Sequence, residues 1–369
     1  MGKDKKRIIF LLPGYDIDIT TRKSVPVGGY KVVYEYANML TRDGFEVVLA
    51  FSHARCKYTN PLRHIYGYAG YLYRKFTGQM HAGEWFNLDS SIKKWFPYCY
   101  RRPFLSLRDT DLVFATAYDT AVELNKMTKV PQSNKYYLIQ GYEIWRDKPE
   151  AVKASYRFGF HNITIAPWLQ DIVKESGAEA TLITNGLDFN RFSLDNPIEN
   201  RSPYEVVLMN HTLEQKRVQD SRAALDIVKK QIPELHVSMF GTCEAPSDLP
   251  SWYTYYHQPT GKELCDIYNH GAIYVAASDF EGFGLTIGEA MICGCAVACT
   301  DNGGFRCMAE HEKTALLSPV YDVDALAKNI VRLITDNELR HEIARKGNHN
   351  IQQFTWEKSY QKLKTLLPT

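Results

Sequence analysis

Apolar and polar positions follow two alternating rhythms along this chain. Residues 7–12 form an unbroken apolar run behind Arg7, the pattern of a strand buried on both faces. A loop over 13–27 leads to Gly28-Gly29. Val32, Val33, Tyr36, Ala37 and Leu40 then recur at helical spacing through 30–43, and Gly44 stops that helix. Residues 45–51 are apolar again. Strand, helix and strand in this order predict a parallel pair joined by a right-handed crossover. The same rhythm predicts strands over 112–115, 135–139, 162–166 and 180–183, with helices over 120–127 and 167–176. A polar stretch, 193–203, interrupts it. The alternation then restarts with strands over 204–209, 235–240, 272–276 and 296–300. Helices over 218–231, 260–269, 285–293, 322–336 and 338–354 lie between and after them. The prediction is an α/β chain of two doubly wound, Rossmann-like domains.

Composition narrows the setting. The 369 residues suffice for two cores without disulfide or metal staples, and 45% hydrophobic with 23% charged residues is the balance of a globular protein. Lys plus Arg is 44 against 42 acids, a formal +2, which supplies no field for nucleic acid. Eight cysteines include no CxxC pair, and Cys293-Gly-Cys295 has no matching partner pair. Buried, reduced thiols and a cytoplasmic location are expected. No apolar run approaches the length of a membrane span, and the one at 8–12 is too short for a signal peptide. Gly2 is followed by Lys6 where a myristoylation start needs Ser or Thr. One segment departs from the average. Residues 57–104 hold thirteen aromatics, with eight Lys or Arg against Glu84 and Asp89, a local +6. Such a surface suits an anionic membrane or a lipid-phosphate acceptor. The alternative is a long insertion packed by its own rings.

Doubly wound sheets bind ligands beyond the carboxyl ends of their strands, so the loops after strands carry the chemistry. Gly28-Gly29 lets backbone approach closely and opens a helix whose free N–H groups suit a phosphate. It is not a G-x-G-x-x-G pattern. The stronger signal is the run from Asp279 to Ala290, Asp-Phe-Glu-Gly-Phe-Gly-Leu-Thr-Ile-Gly-Glu-Ala. Glu281 falls in a Gly-rich loop and Glu289 on the helix behind it. Gly282 and Gly284 free backbone N–H groups for an anion, while the two carboxylates can accept from sugar hydroxyls.

This run resembles the E-x7-E signature of retaining glycosyltransferase family 4, which has the GT-B fold of two Rossmann-like domains facing a cleft. Further motifs fall in the family's order. Gly28-Gly29 and the helix behind it resemble its N-terminal diphosphate loop. Ile183-Thr184-Asn185-Gly186-Leu187-Asp188 with Phe192 resembles N-G-V-D-x-x-x-F. Glu214-Gln215-Lys216-Arg217 stands where the family has E-x-K-G, and Asp301-Asn302-Gly303-Gly304 matches its x-x-G-G turn. Ala315-Leu316-Leu317 matches N-G-L-L-V, and Phe354-Thr355-Trp356 resembles F-S-W. The resemblance implies an acceptor domain over 1–192 and a donor domain over 204–354. A closing helix over 355–369 would return to the first domain.

The roles that the resemblance implies are as follows. Glu281 holds donor-sugar hydroxyls and Glu289 the ribose. Amides near Phe283, Gly284, Leu285 and Thr286 approach the sugar and diphosphate. Lys216 neutralises the diphosphate, and the base rests near Pro259. The implied reaction is retaining transfer from a nucleotide-sugar, itself a substrate, to a hydroxyl of a glycan or lipid-linked acceptor in surface polysaccharide biosynthesis. No cofactor and no metal are implied. Two positions depart from the family. His211 replaces an Arg in the donor site, and Gln140 stands where a His is common near the reacting carbon. Gln140 can hydrogen-bond a ligand but cannot take a proton. Asp16-Ile17-Asp18 and Asp322-Val323-Asp324 resemble metal-binding D-x-D pairs without the right context. A non-catalytic nucleotide-sugar-binding subunit and another GT-B enzyme, such as an epimerase, remain the rival readings.

Overall fold

The computed structural model describes residues 6–17, 23–52, 61–100 and 106–368. Gly2, Asp18, Cys56 and the stretches 57–60 and 101–104 lie outside the described residues. The chain divides into two compact units, one of Met1–Ile183 with Lys362–Thr369 and one of Thr184–Gln361.

The first unit is built on β1 (Arg7–Leu12), β2 (Glu46–Phe51), β3 (Lys93–Trp95), β4 (Leu112–Ala115), β5 (Lys135–Ile139), β6 (His161–Thr164) and β7 (Thr181–Leu182). They lie in the order β3-β2-β1-β4-β5-β6-β7, every pair parallel. β1, β4 and β5 are buried throughout, which is why they read as unbroken apolar runs. A buried ion pair ties β1 to the turn before β4. Arg7 Nε and Nη2 donate to Asp111 Oδ1 and Oδ2 at 2.9 and 2.6 Å. Such a fork combines charge with fixed geometry.

The aromatic segment is both packed and exposed. Tyr71, Tyr98 and Cys99 form a small core with Tyr68, Leu72 and Met80. Buried Asp16 anchors the segment: its carboxylate accepts from Tyr34 Oη at 2.8 Å, Trp85 Nε1 at 2.6 Å and the Gly83 amide at 2.9 Å. Asp16 is thereby a structural acceptor. On the Pro61–Phe76 helix, Ile65, Tyr66, Tyr73 and Phe76 remain exposed.

The second unit holds β8 (Glu205–Asn210), β9 (His236–Gly241), β10 (Tyr253–His257), β11 (Ile273–Ala276), β12 (Ala296–Thr300) and β13 (Leu316–Ser318). Their order is β10-β9-β8-β11-β12-β13, again all parallel. The Val218–Gln231 and Val323–Thr335 helices contribute Leu225, Val228, Ile330 and Leu333 to its core. The unit boundary falls at Ile183/Thr184, ahead of the 192 expected from sequence, and the reason is local. Gly186 lies against the backbone N and Cα of Trp356, where a Cβ has no room, and Leu187 N donates to Phe354 O at 2.9 Å. The Asn-Gly-Leu and Phe-Thr-Trp motifs are thus two sides of one contact.

The sequence rhythm omits β3, β10 and β13, and the Pro61–Phe76 and Pro149–Ser155 helices. β3 and β10 are partly exposed edge strands and lack a continuous apolar run. The seven described cysteines are free, and among the described residues no helix is long and apolar enough to cross a membrane.

Asp111→Ala leaves the Arg7 guanidinium buried without its carboxylate. The expected loss in urea unfolding is about 3–5 kcal/mol. A loss below about 1 kcal/mol, the scale of an exposed pair, would show that Arg7 finds water or another acceptor.

Candidate functional site

In the second sheet, β8 and β11 are neighbours although β9 and β10 intervene in sequence. At this point the strand order reverses, the place beyond the carboxyl ends where doubly wound sheets generally bind ligands. The loop after β8 carries His211 and Lys216, and the loop after β11 carries Ser278, Asp279 and Glu281. They meet in one ion pair: Lys216 Nζ lies 2.7 Å from Glu281 Oε1, with side-chain exposures of 16% and 10%. Ser278 Oγ donates to the same oxygen at 2.8 Å. Asp279 N donates to Gln215 O at 3.0 Å, joining the two loops through backbone as well.

The Asp301-Asn302-Gly303-Gly304 turn supports Glu281 from below. Asn302 Nδ2 donates to Ser278 O at 2.9 Å, and Thr300 Oγ1 donates to the same carbonyl. Gly304 lies against the Glu281 carbonyl, and a Cβ there would come within 2.5 Å of Glu281 Cβ. A side chain at 304 would therefore push the carboxylate off Lys216. Gly284 caps the Leu285–Ile292 helix at φ 89°, a conformation that favours glycine, and a Cβ would also fall 2.7 Å from Phe305 Cδ1. Phe283 is buried, its ring 5.9 Å from that of Phe354. Leu285 and Thr286 form the first turn, where amide N–H groups lack intrahelical acceptors. Glu289, one turn further, accepts from Tyr268 Oη at 3.4 Å. Pro259 is buried just beyond edge strand β10, two strands from β8, and is not drawn into the Lys216–Glu281 cluster.

His211 adds a dipole without a charge. Burial first, then the neighbouring Lys216 ammonium, push its imidazole below the ordinary 6.5, and Glu281 only partly opposes them. Leu213 N donates to Nδ1 at 3.0 Å, so the proton of the neutral ring sits on Nε2. Where an arginine would bring a fixed cation, this site has a neutral donor.

In the first unit the structure brings two separate sequence features together. Gly28 and Gly29 open the Gly28–Arg42 helix after β1, and Gln140 follows β5. A Cβ on Gly29 would lie 3.4 Å from Gln140 Oε1, a buried oxygen with no hydrogen-bond partner. The loop carrying Gln140 is held by Glu143, which accepts from the Tyr118 amide and from Arg146 Nε at 3.1 Å. Burial pushes the Glu143 carboxyl up despite Arg146 beside it.

Sequence reasoning assigned no role to Ser278, Asn302, Asp279 or Tyr321. Ser278 has a usable signal, standing three residues before Glu281 at a strand end. Tyr321 has none, since its partner Asp279 is forty-two positions away.

Two doubly wound parallel sheets in tandem, with the Lys216 and Glu281 loops at the switch point of the second, define the GT-B architecture. Solved structures agree on the fold. Sucrose-phosphate synthase from Thermosynechococcus elongatus aligns over 98% of both chains with a TM-score of 0.70 at 17% identity. Anabaena HepE, solved in complex with UDP and glucose, aligns over 98% of both with a TM-score of 0.68 at 15% identity. Residues 191–350 match the family model of glycosyl transferases group 1. A curated relative is phosphatidyl-myo-inositol mannosyltransferase of Mycolicibacterium smegmatis, 24% identical over 191 residues, 49% of each chain. The chain spans about half or less of the length of the curated relatives it matches.

A lowered imidazole pKa means that the fold favours neutral His211. Its contribution to stability is present above the unfolded value of 6.5 and is lost as pH falls through the folded value. In a proton NMR titration His211 should titrate below 6.5. Lys216→Ala should raise the midpoint, and Glu281→Gln should lower it further. A native midpoint at or above 6.5 would remove the neutral donor from the site.

Proposed function

We propose that the protein is a glycosyltransferase that moves a sugar from a nucleotide-sugar donor to a hydroxyl of a glycan or lipid-linked acceptor. It does so with retention and without a metal, in surface polysaccharide biosynthesis. The observation that carries this reading is the Lys216–Glu281 pair at the switch point of the second sheet, inside the segment that matches group 1 glycosyl transferases. The complex of HepE with UDP and glucose supports a nucleotide-sugar donor. The name of the mannosyltransferase relative supports a lipid-linked acceptor.

In this reaction the bond from the anomeric carbon to the diphosphate breaks, and negative charge builds on the departing oxygen. Lys216 has three donors, so it can keep Glu281 with one and offer the others to the diphosphate. The amides of Gly284, Leu285 and Thr286 add dipoles aimed at the same charge, and fixed dipoles need no reorganisation as charge develops. His211 Nε2–H contributes a further donor. Glu281 and Glu289 accept from hydroxyls of the sugar and the ribose. The acceptor oxygen bonds to the same face of the carbon, and its proton passes to the leaving diphosphate. Gln140, with Gly28 and Gly29, offers hydrogen bonds in the acceptor-holding first unit.

Lys216→Ala and Glu289→Ala should each weaken nucleotide-sugar binding by about 1–3 kcal/mol, the loss typical of a hydrogen bond to a charged group. Calorimetry in excess EDTA measures it, and NMR of the product should show the donor's anomeric configuration kept. Unchanged affinity in both variants overturns the donor site, and binding that returns only with Mg²⁺ or Mn²⁺ overturns metal independence.

We further propose that the first unit works on an anionic membrane. Ile65, Tyr66, Tyr73 and Phe76 stand exposed on a helix whose last turn carries Arg74 and Lys75. Amphipathic rings and flanking bases are the chemistry of interfacial anchoring, each base near the surface contributing about 1 kcal/mol. Lys93 and Lys94 are occupied otherwise, by Glu46 at 2.7 Å and by Ala82 O at 2.6 Å. The protein should sediment with phosphatidylserine vesicles at low salt, and Tyr66→Ser with Lys75→Glu should release it with nucleotide binding intact. Native protein left in the supernatant at low salt points to a soluble acceptor.

A further inference from the structure

Two non-glycine residues in the left-handed region meet beside the Lys216–Glu281 pair. Arg217 stands at φ 46° and ψ 42°, and Tyr321 at φ 67°. An L residue is strained there, and the strain persists only where the surroundings dictate it. Here the surroundings close a ring. The Arg217 guanidinium lies over the Tyr321 ring, 4.9 Å from its centroid, and is braced by Asp220 through Nε and Nη2 at 2.8 and 3.0 Å. Tyr321 Oη donates to Asp279 Oδ2 at 2.8 Å. Asp279 N donates to Gln215 O at 3.0 Å, two residues before Arg217. The ring thus joins the loops after β8, β11 and β13, and Lys216 is the residue it encloses in sequence.

Little of this serves the core. Tyr321 is 60% exposed, and a cation over an exposed ring is a weak contact. What the ring does fix is the direction in which the chain leaves Gln215 and the distance between the Lys216 and Glu281 loops. We propose that Arg217 and Tyr321 are positioning residues, a latch that presets the Lys216 ammonium against Glu281 for an incoming diphosphate. Ordering a long, flexible lysine before the ligand arrives removes a cost that binding would otherwise carry. The proposal rests on the reading of Lys216 as a diphosphate contact.

Arg217→Gly and Tyr321→Phe test it with three readouts. The first is the melting temperature. Glycine is relaxed at positive φ, so Arg217→Gly should melt no lower than native protein. The second needs no nucleotide: under limiting acetic anhydride, mass spectrometry should find Lys216 acetylated about 3- to 10-fold faster in both variants. The third is calorimetry with UDP, which should bind about 3- to 10-fold more weakly to both variants. In a Lys216→Ala background, Arg217→Gly should leave UDP affinity unchanged, and Tyr321→Phe repeats the comparison without altering charge. An unchanged acetylation rate in both variants overturns the latch, as does an equal loss of UDP affinity with and without Lys216. If native protein binds no nucleotide while the variants still expose Lys216, the donor reading fails and the latch stands.

Discussion

A strand can be joined to a parallel neighbour only by a crossover that carries the chain back along the sheet. Both sheets here are wholly parallel, so each crossover begins at the same edge, and the loops that leave that edge accumulate there. In the second unit this brings residues from the stretches after β8, β11, β12 and β13 into one neighbourhood. Lys216 and Glu281 are sixty-five positions apart yet share a hydrogen bond, because β8 and β11 are adjacent and both end at that edge. Everything proposed about donor binding descends from this constraint.

Close backbone approach then sets the accuracy of the arrangement. Gly304 lets the turn after β12 lie directly on Glu281, and Gly284 turns the chain into the helix that carries Glu289. Gly186 lets Trp356 pack on the Asn-Gly-Leu segment. Each is a place where one extra carbon would displace backbone, which closely packed interiors resist. The hydrogen bonds from Asn302 and Thr300 to Ser278 O hold the same loop at its start.

Electrostatically, the site is prepared before any ligand arrives. Lys216 is largely buried, and its charge is compensated by Glu281 rather than left alone, which would be costly. His211 is kept neutral by its burial and by that same lysine, so the cluster carries no surplus cation that would need a counter-ion in the free protein. On the proposed reading, a diphosphate brings its own charge and shares the lysine with Glu281. In the first unit, Gln140 and Gly29 come together by the same logic of strand ends, β5 and β1 being separated only by β4.

Much of this was legible in the chain itself. The buried strands announce themselves as apolar runs because a parallel sheet hides both faces. The helix over Gly28–Arg42 shows its period, and the Glu281–Glu289 run shows its chemistry in a dozen consecutive residues. These are local signals, written within one element or one loop. Edge strands β3 and β10 were silent because partial exposure removes the apolar run, and the helix over Pro61–Phe76 was hidden in an aromatic-rich stretch. Asp16 looked like half of a metal pair, yet it is a buried acceptor for Tyr34, Trp85 and Gly83. The left-handed turn at Arg217 falls where the resembled motif has a glycine, but the contact with Tyr321 had no sequence signature. Sequence by itself determined the buried strands, most of the helices and which residue types could meet an anion or a sugar, because periodicity and side-chain chemistry are properties of neighbours along the chain. Only the tertiary structure decided which of those residues touch, since strand order and the bends of the loops depend on contacts between positions far apart in the chain.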